Sequence, residues 1–117
     1  MTLEGFLVLS AVLFSIGLYG VLTKRNAIMV LMALEIMFNG VILAAVAMSR
    51  YVTPWSMRDD PSSGAADVVQ MVLTGQVFAI FIIAVAAAEI ALGLAIVMAV
   101  YRRRETVDVT EVNLMRW

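Results

Sequence analysis

Three long apolar runs, separated by polar stretches, dominate the pattern of the chain. They predict helices at about 3–22, 27–48 and 77–101. A bilayer core about 30 Å thick is crossed by about 20 apolar residues in helical form, so each run is long enough to span a membrane. The pattern therefore predicts an all-α integral membrane protein, with three transmembrane helices in a single membrane domain that covers residues 1–117.

The polar stretches predict what joins and follows these helices. Residues 24–26 form a very short turn after the first helix, and residues 49–76, which contain both prolines, form a loop before the third. Within this loop, the apolar stretch 66–75 is interpreted as an interfacial segment or a short helical extension, with Gly75 as the break. Residues 102–117 are too polar to cross the membrane and are predicted to form a surface tail.

Composition supports a membrane location, and the basic residues predict the orientation. The chain is 63% hydrophobic and 15% charged, whereas soluble domains are about half apolar and a quarter charged. Three crossings bring the first turn and the tail to one side, which carries Lys24, Arg25 and the three arginines at 102–104. Because basic residues accumulate on the cytoplasmic side, the N-terminus is predicted outside and the C-terminus in the cytoplasm.

The residue types that the chain lacks exclude several kinds of cofactor site. With no cysteine and no histidine, it cannot hold an iron–sulfur cluster through thiolates or build the usual zinc sites. A Gly-rich phosphate loop is also missing, so flavin or nucleotide binding has no support. The net charge of −1 gives no indication of a nucleic-acid partner. We therefore expect no cofactor on this chain, and any redox chemistry takes place on another.

Small residues predict where the helices pack against each other. In the first run, Gly17 and Gly20 lie on one side, and Ser10 precedes Gly17 by seven residues. In the second run, a stripe of small residues begins at Gly40 and continues through Ala44 and Ala47. Because small residues let helix backbones approach closely in a membrane, both stripes are interpreted as packing faces.

The most informative residues are two carboxylates inside the apolar runs. Glu35 is the only charge in the second run and Glu89 the only charge in the third, while Asn39 shares a helix face with Glu35. A charged side chain at this depth costs roughly 3 kcal/mol, and none of the three runs contains a basic residue to neutralise it. Carboxyls that take up and release protons meet the requirement for a proton relay, whereas a structural role needs only a protonated hydrogen-bond donor.

Two motifs and the tail resemble a known family. The segments RNAIMVLMALEIMFN and GQVFAIFIIAVAAAEIALGLAIV, followed by YRRRETVDVTEVNLMRW, are similar to subunit K of the proton-translocating NADH:quinone oxidoreductases, complex I and its cyanobacterial and chloroplast relatives. The resemblance covers all three helices and the tail. It implies a small subunit of the membrane arm, packed between antiporter-like subunits and the quinone-proximal part, in a bacterial inner membrane or a thylakoid membrane.

The same resemblance implies roles for particular residues. Glu35 and Glu89 correspond to the membrane carboxylates of a proton path that couples quinone reduction to proton pumping. Arg25, next to Lys24, corresponds to the basic residue of the cytoplasmic loop, and Asn39 to the polar neighbour of the first carboxylate. Flavin, iron–sulfur clusters and quinone are then expected on other subunits of the complex, with NADH or a related carrier as the electron donor.

Two departures and three alternatives accompany the resemblance. Ile42 replaces a second asparagine that many members have, and the loop 49–76 is longer than the usual connection. The nearest alternative is the C subunit of a multisubunit cation/proton antiporter, but Glu35 and the GQVF block favour the oxidoreductase. A small multidrug exporter would have four helices and an acid in the first. A purely structural or assembly subunit is the remaining alternative.

Overall fold

The described part of the chain folds into three helices. The computed structural model describes residues 2–52 and 65–113, with α1 at Leu3–Thr23, α2 at Ala27–Tyr51 and α3 at Ala65–Arg104. All three are long and apolar enough to cross a membrane, which confirms the predicted all-α membrane architecture. The centre of the predicted loop, residues 53–64, and the last four residues of the tail lie outside the described residues.

The bounds of α1 and α2 agree with prediction because the turn between them carries clear local signals. The backbone N–H of Lys24 donates to the Gly20 carbonyl at 3.1 Å, which ends α1. Asn26 begins α2, and its Oδ1 accepts a hydrogen bond from the N–H of Ile28 at 2.9 Å. Asparagine is among the preferred residues at this position because it satisfies one of the free N–H groups at a helix start.

The α1–α2 contact is made by the small residues that the sequence singled out. Ser10 and Gly17 are the buried residues of α1, and the Ser10 hydroxyl donates to the Gly40 carbonyl at 2.7 Å. Gly17 packs against Ala33 and Met37 of α2. Lipid tails are as apolar as leucine, so helices in a membrane associate through such close packing and hydrogen bonds. The predicted packing faces of α1 and of α2 at Gly40 are therefore confirmed.

The α2–α3 contact corrects the prediction at Gly75. Helix α3 runs without interruption through this residue, so the proposed break, and with it the placement of 66–75 outside the third helix, is wrong. Gly75 lies directly against Ser49, and Gly93 lies against Leu31, so both glycines give room for the approach of α2. A glycine inside a helix costs only about 1 kcal/mol relative to alanine, which close packing can offset.

Helix α2 occupies the centre of the bundle. It contacts both α1 and α3, whereas α1 and α3 do not contact each other within the described ranges. Helix α3 has 40 residues, which corresponds to about 60 Å at 1.5 Å per residue. It is therefore longer than one perpendicular crossing and extends beyond α2 at its N-terminal end, which begins ten residues before the Gly75 contact.

The start of the tail folds back onto the turn between α1 and α2, which the sequence analysis did not predict. Glu105 follows α3 with a positive φ of 56°, and this left-handed conformation reverses the chain. The Val107 carbonyl then accepts from the N–H of Ala27 at 2.9 Å, and the N–H of Val109 donates to the Arg25 carbonyl at 2.8 Å. These two hydrogen bonds form an antiparallel bridge that holds the tail at this end of the bundle.

Asp108 stabilises the turn within the tail. Its Oδ1 accepts hydrogen bonds from the backbone N–H of Thr110 at 2.9 Å and from the Thr110 hydroxyl at 2.6 Å. Both bonds, with a smaller contribution from the positive charge of Arg25, lower the pKa of Asp108 below its ordinary value of 3.8. Because the ionised form makes these interactions, the turn is most stable when Asp108 carries its charge.

We expect the docked tail to loosen in acid. The pKa of Asp108 is lower in the docked tail than in a free one, so its contribution is complete above 3.8 and is lost as the pH falls through the lower docked value. The chain has no native cysteine, so a spin label on Asn113→Cys in detergent micelles reports tail mobility cleanly. Mobility should rise in acid, and Asp108→Asn should already be mobile at neutral pH. An Asp108→Asn tail as immobile as the parent at neutral pH would contradict this role.

Candidate functional site

The two membrane carboxylates lie at the same level of the bundle. Helices α2 and α3 run antiparallel, with Leu31 against Gly93 near the tail end and Ser49 against Gly75 near the other. The two contacts are therefore separated by eighteen residues on each helix. Glu35 follows Leu31 by four residues and Glu89 precedes Gly93 by four. Because the helices are antiparallel, four residues forward on α2 and four residues back on α3 lead to the same height along the bundle. The two carboxylates therefore lie at one level.

Glu35 lies on the side of α2 that faces away from α1. It is two residues from both Ala33 and Met37, which contact Gly17 of α1. Two residues correspond to a rotation of about 200° around a helix with 3.6 residues per turn. Leu31, which contacts α3, is one turn away from Glu35 on a similar side. One side of α2 therefore packs on α1, and the carboxylate lies toward α3.

Both carboxylates are exposed on the single chain. Glu35 and Glu89 are exposed. Within the described ranges, neither side chain has a hydrogen bond or an ion pair. Polar groups at membrane depth usually face protein or water instead of lipid. Within the described residues no protein group covers them, so this surface is one on which contact with protein or water would be favourable.

The three supporting residues have different positions relative to the carboxylates. Asn39 lies one turn after Glu35 on the same face of α2 and is exposed, but no hydrogen bond joins these two described side chains. Lys24 and Arg25 lie in the turn before α2. Arg25 precedes Glu35 by ten residues, which is about 15 Å along the helix axis. The structure therefore groups Asn39 with Glu35 and separates both basic residues from the carboxylates.

The docked tail is a structural element that sequence reasoning missed, although a signal was present. In residues 106–109, valine alternates with polar residues, and Val112 follows two further polar residues. Alternation with a period of two is typical of an extended segment with one apolar face. Val107, Val109 and Val112 line a groove of about 180 Å³ against α3, where Val97 and Val100 form part of the opposite wall. This apolar face covers the end of α3 next to the α1–α2 turn.

Comparison with known proteins places these features in one family. The family model described as NADH-ubiquinone/plastoquinone oxidoreductase chain 4L matches residues 5–117, which include all three helices, both carboxylates and the tail. The match is to the oxidoreductase that the sequence analysis preferred over the antiporter subunit. Because the model covers nearly the whole chain, the similarity extends well beyond the two motifs.

Several curated relatives are similar over their full length. The chain is 45% identical over 117 residues to the NAD(P)H-quinone oxidoreductase subunit 4L of Leptolyngbya boryana, with 100% of both chains covered. It is 46% identical over 115 residues to the subunit of the same name in Synechocystis, covering 98% of this chain and 96% of the relative. It is 47% identical over 115 residues to the NADH-quinone oxidoreductase subunit K of Desulfitobacterium hafniense, covering 98% and 94%.

Proposed function

This chain belongs to the family of NADH-ubiquinone/plastoquinone oxidoreductase chain 4L, and we propose that it is a non-redox membrane subunit of a proton-translocating complex that reduces quinone with NADH or a related donor. It is a protein of an energy-transducing membrane, with relatives in cyanobacteria, chloroplasts and other bacteria. Its partners are other subunits of the complex, with antiporter-like and quinone-proximal subunits as its neighbours. Flavin, iron–sulfur clusters and quinone bind to those other subunits.

Glu35 and Glu89 contribute to the path that carries protons through the membrane arm. The observation that supports this proposal is their common level on two contacting helices, each as the single charge of an apolar run. A proton moving between carboxyl groups needs short steps through water or polar side chains, which a common level favours. Asn39, one turn from Glu35 on the same face, is a polar neighbour whose amide can hydrogen-bond to water beside it. Neighbouring subunits then cover both exposed carboxylates.

The charges at the two ends of the described chain support the proposed orientation. The end with the α1–α2 turn and the tail carries Lys24, Arg25 and the arginines at 102–104, while Arg50 is the described basic residue near the other end. This asymmetry is the basis for placing the C-terminus in the cytoplasm, or on the equivalent side of a thylakoid membrane, and the N-terminus on the opposite side.

Replacement of either carboxylate by glutamine is expected to lower quinone reduction and proton uptake together. Glu35→Gln and Glu89→Gln keep the size of the side chain and its hydrogen-bonding capacity but remove the exchangeable carboxyl proton. We expect at least about a tenfold loss of both rates, since a positioned proton-transfer group contributes roughly 10²–10⁴-fold to a step. The two rates are measured on membrane vesicles that contain the intact complex, with assembly checked on a native gel.

Glu4→Gln is the matched control, because Glu4 is an exposed carboxylate in the first turn of α1, near the end of the helix. This variant should retain both rates. If Glu35→Gln and Glu89→Gln assemble normally and also retain both rates, the carboxylates have no role in proton transfer. The chain would then be a structural or assembly subunit of the same complex, and its family would be unchanged.

A further inference from the structure

Two apolar grooves meet at the end of α3 nearest the tail. The first has a volume of about 320 Å³ and lies between the start of α2, the end of α3 and the tail. Its lining residues are Ile28, Val97, Met98, Tyr101, Arg102 and Val107. The second has a volume of about 250 Å³ and is lined by Ala95, Met98, Ala99 and Arg102. Met98 and Arg102 therefore line both grooves, so the grooves lie on either side of this pair.

We propose that these paired grooves bind one anionic phospholipid, with an acyl chain on each side of Met98 and the phosphate at Arg102. The walls of both grooves are almost entirely apolar, as acyl chains require, and Arg102 is the charged residue of each. Basic pockets at the cytoplasmic ends of transmembrane helices are suited to anionic lipid headgroups. This site is separate from the two carboxylates, and the inference does not depend on their role.

The position of the grooves along α3 matches the depth of a lipid. The apolar run of α3 ends at Tyr101, and Arg102 begins a group of three consecutive arginines. This transition marks the boundary between hydrocarbon and headgroups, where tyrosine side chains are common. A phosphate therefore lies at the height of Arg102, while acyl chains extend from it toward Met98 and Ala95.

The charge at the boundary is available to a headgroup. Arg102, Arg103 and Arg104 are exposed and form no ion pair within the described part of the chain. The carboxylate of Asp108 in the tail interacts with Arg25 instead. A phosphate bound at Arg102 would form charge-assisted hydrogen bonds, which are about twice as strong as those between neutral groups.

The docked tail completes the first groove. Val107 contributes one wall, and its position is fixed by the hydrogen bond that its carbonyl accepts from Ala27 at 2.9 Å. The proposed binding site thus combines the start of α2 with the end of α3 and the tail, which are far apart from α2 in sequence. A lipid bound here would join α2, α3 and the tail at the membrane surface.

A photo-crosslinking experiment on the assembled complex tests the proposal. Benzoylphenylalanine is placed at Met98 in one variant and at Ile28 in another, and the complex is irradiated in native membranes. We expect an anionic phospholipid adduct at both positions, enriched relative to the bulk lipid. With the crosslinker at Ile28, Arg102→Gln should reduce this enrichment by roughly fivefold, the effect of one basic side chain near an anionic surface.

Two further variants make the result specific. Arg102→Lys keeps the charge and should keep most of the enrichment, while Arg103→Gln removes a charge that lines a different groove and should leave it unchanged. A crosslink to a peptide of another subunit would mean that protein covers the grooves and would overturn the proposal. Lipid adducts with the bulk headgroup composition, or an enrichment that Arg102→Gln leaves intact, would also overturn it.

Discussion

Replacing both membrane carboxylates at once is expected to reduce proton uptake and quinone reduction no further than the more damaging single replacement. Glu35 and Glu89 lie at one level on two contacting helices, so a proton that passes this level uses them in series. Removing either carboxyl already interrupts a series path, so removing the second should not lower the two rates further. Residues that act as a unit show this kind of non-additivity. The double variant should therefore retain the same small fraction, at most about a tenth, of the parental rates.

The measurement compares the parent, Glu35→Gln, Glu89→Gln and the double variant in vesicles with equal amounts of assembled complex. The series arrangement gives a double variant equal to the lower single variant. Two carboxyls that contribute independently to one rate-limiting step would instead give losses that multiply, so that two tenfold losses become about a hundredfold. That outcome would show that the common level of the carboxylates has no functional meaning, even if each residue carries protons.

Local sequence signals were sufficient to predict most of the fold. The apolar runs and the polar turn at 24–26 predicted the first two helices to within three residues at each end. The small residues at positions 10, 17 and 40 correctly predicted the α1–α2 contact. These features depend on composition and on spacing within one helix, which can be read without knowledge of distant contacts.

The errors arose where distant contacts decide the structure. Gly75 was interpreted as a break because glycine weakens a helix, but its neighbour is Ser49, which lies 26 residues earlier. The tail was predicted to be a polar surface segment, whereas its valines face α3 and its backbone pairs with the α1–α2 turn. In both places the conformation that local sequence favours differs from the one that the contact with a distant segment stabilises. That segment is α2 for Gly75, and it is the α1–α2 turn and α3 for the tail.

The candidate site was only partly predictable for a related reason. The sequence identified Glu35 and Glu89 from their rarity in apolar runs, and the helix period placed Asn39 beside Glu35. It could not give the α2–α3 register that brings the carboxylates to one level, because the register is set by the contacts of Gly75 and Gly93. It also could not supply the surfaces that, in the proposed function, neighbouring subunits place over the exposed carboxylates.

The α1–α2 contact can be tested with Ala33→Gly, which is expected to rescue an added methyl group at Gly20 but not one at Gly17. A Cβ added at Gly20 would lie 2.8 Å from the Ala33 Cβ, with the next atom, Ala33 Cα, at 3.9 Å. A Cβ added at Gly17 would lie 2.7 Å from the Ala33 carbonyl oxygen and 2.9 Å from the Met37 backbone nitrogen. The first clash involves a side chain that can be removed, and the second involves backbone atoms that cannot.

We therefore expect Gly17→Ala and Gly20→Ala each to reduce assembly of the complex, and Ala33→Gly to restore it only for Gly20→Ala. Overpacking of this kind costs about 1–3 kcal/mol, which lowers the ratio of assembled to unassembled chain by roughly fivefold to more than a hundredfold. Gly5→Ala is the control, because its added Cβ would meet no atom closer than 3.8 Å. Assembly is measured as the fraction of tagged chain in the complex on a native gel.

The rescue separates a local clash from a general effect of helix composition. The variant that combines Gly20→Ala with Ala33→Gly contains the same residues as the parent, with the methyl group moved from one helix to the other. Intrinsic helix propensity therefore changes little for the pair as a whole, and any recovery must come from the contact itself. Rescue of Gly17→Ala by Ala33→Gly, or failure to rescue Gly20→Ala, would mean that α1 approaches α2 through other atoms. The side of α2 on which Glu35 lies relative to α1 would then have to be revised as well, since it was derived from the contacts of Ala33 and Met37.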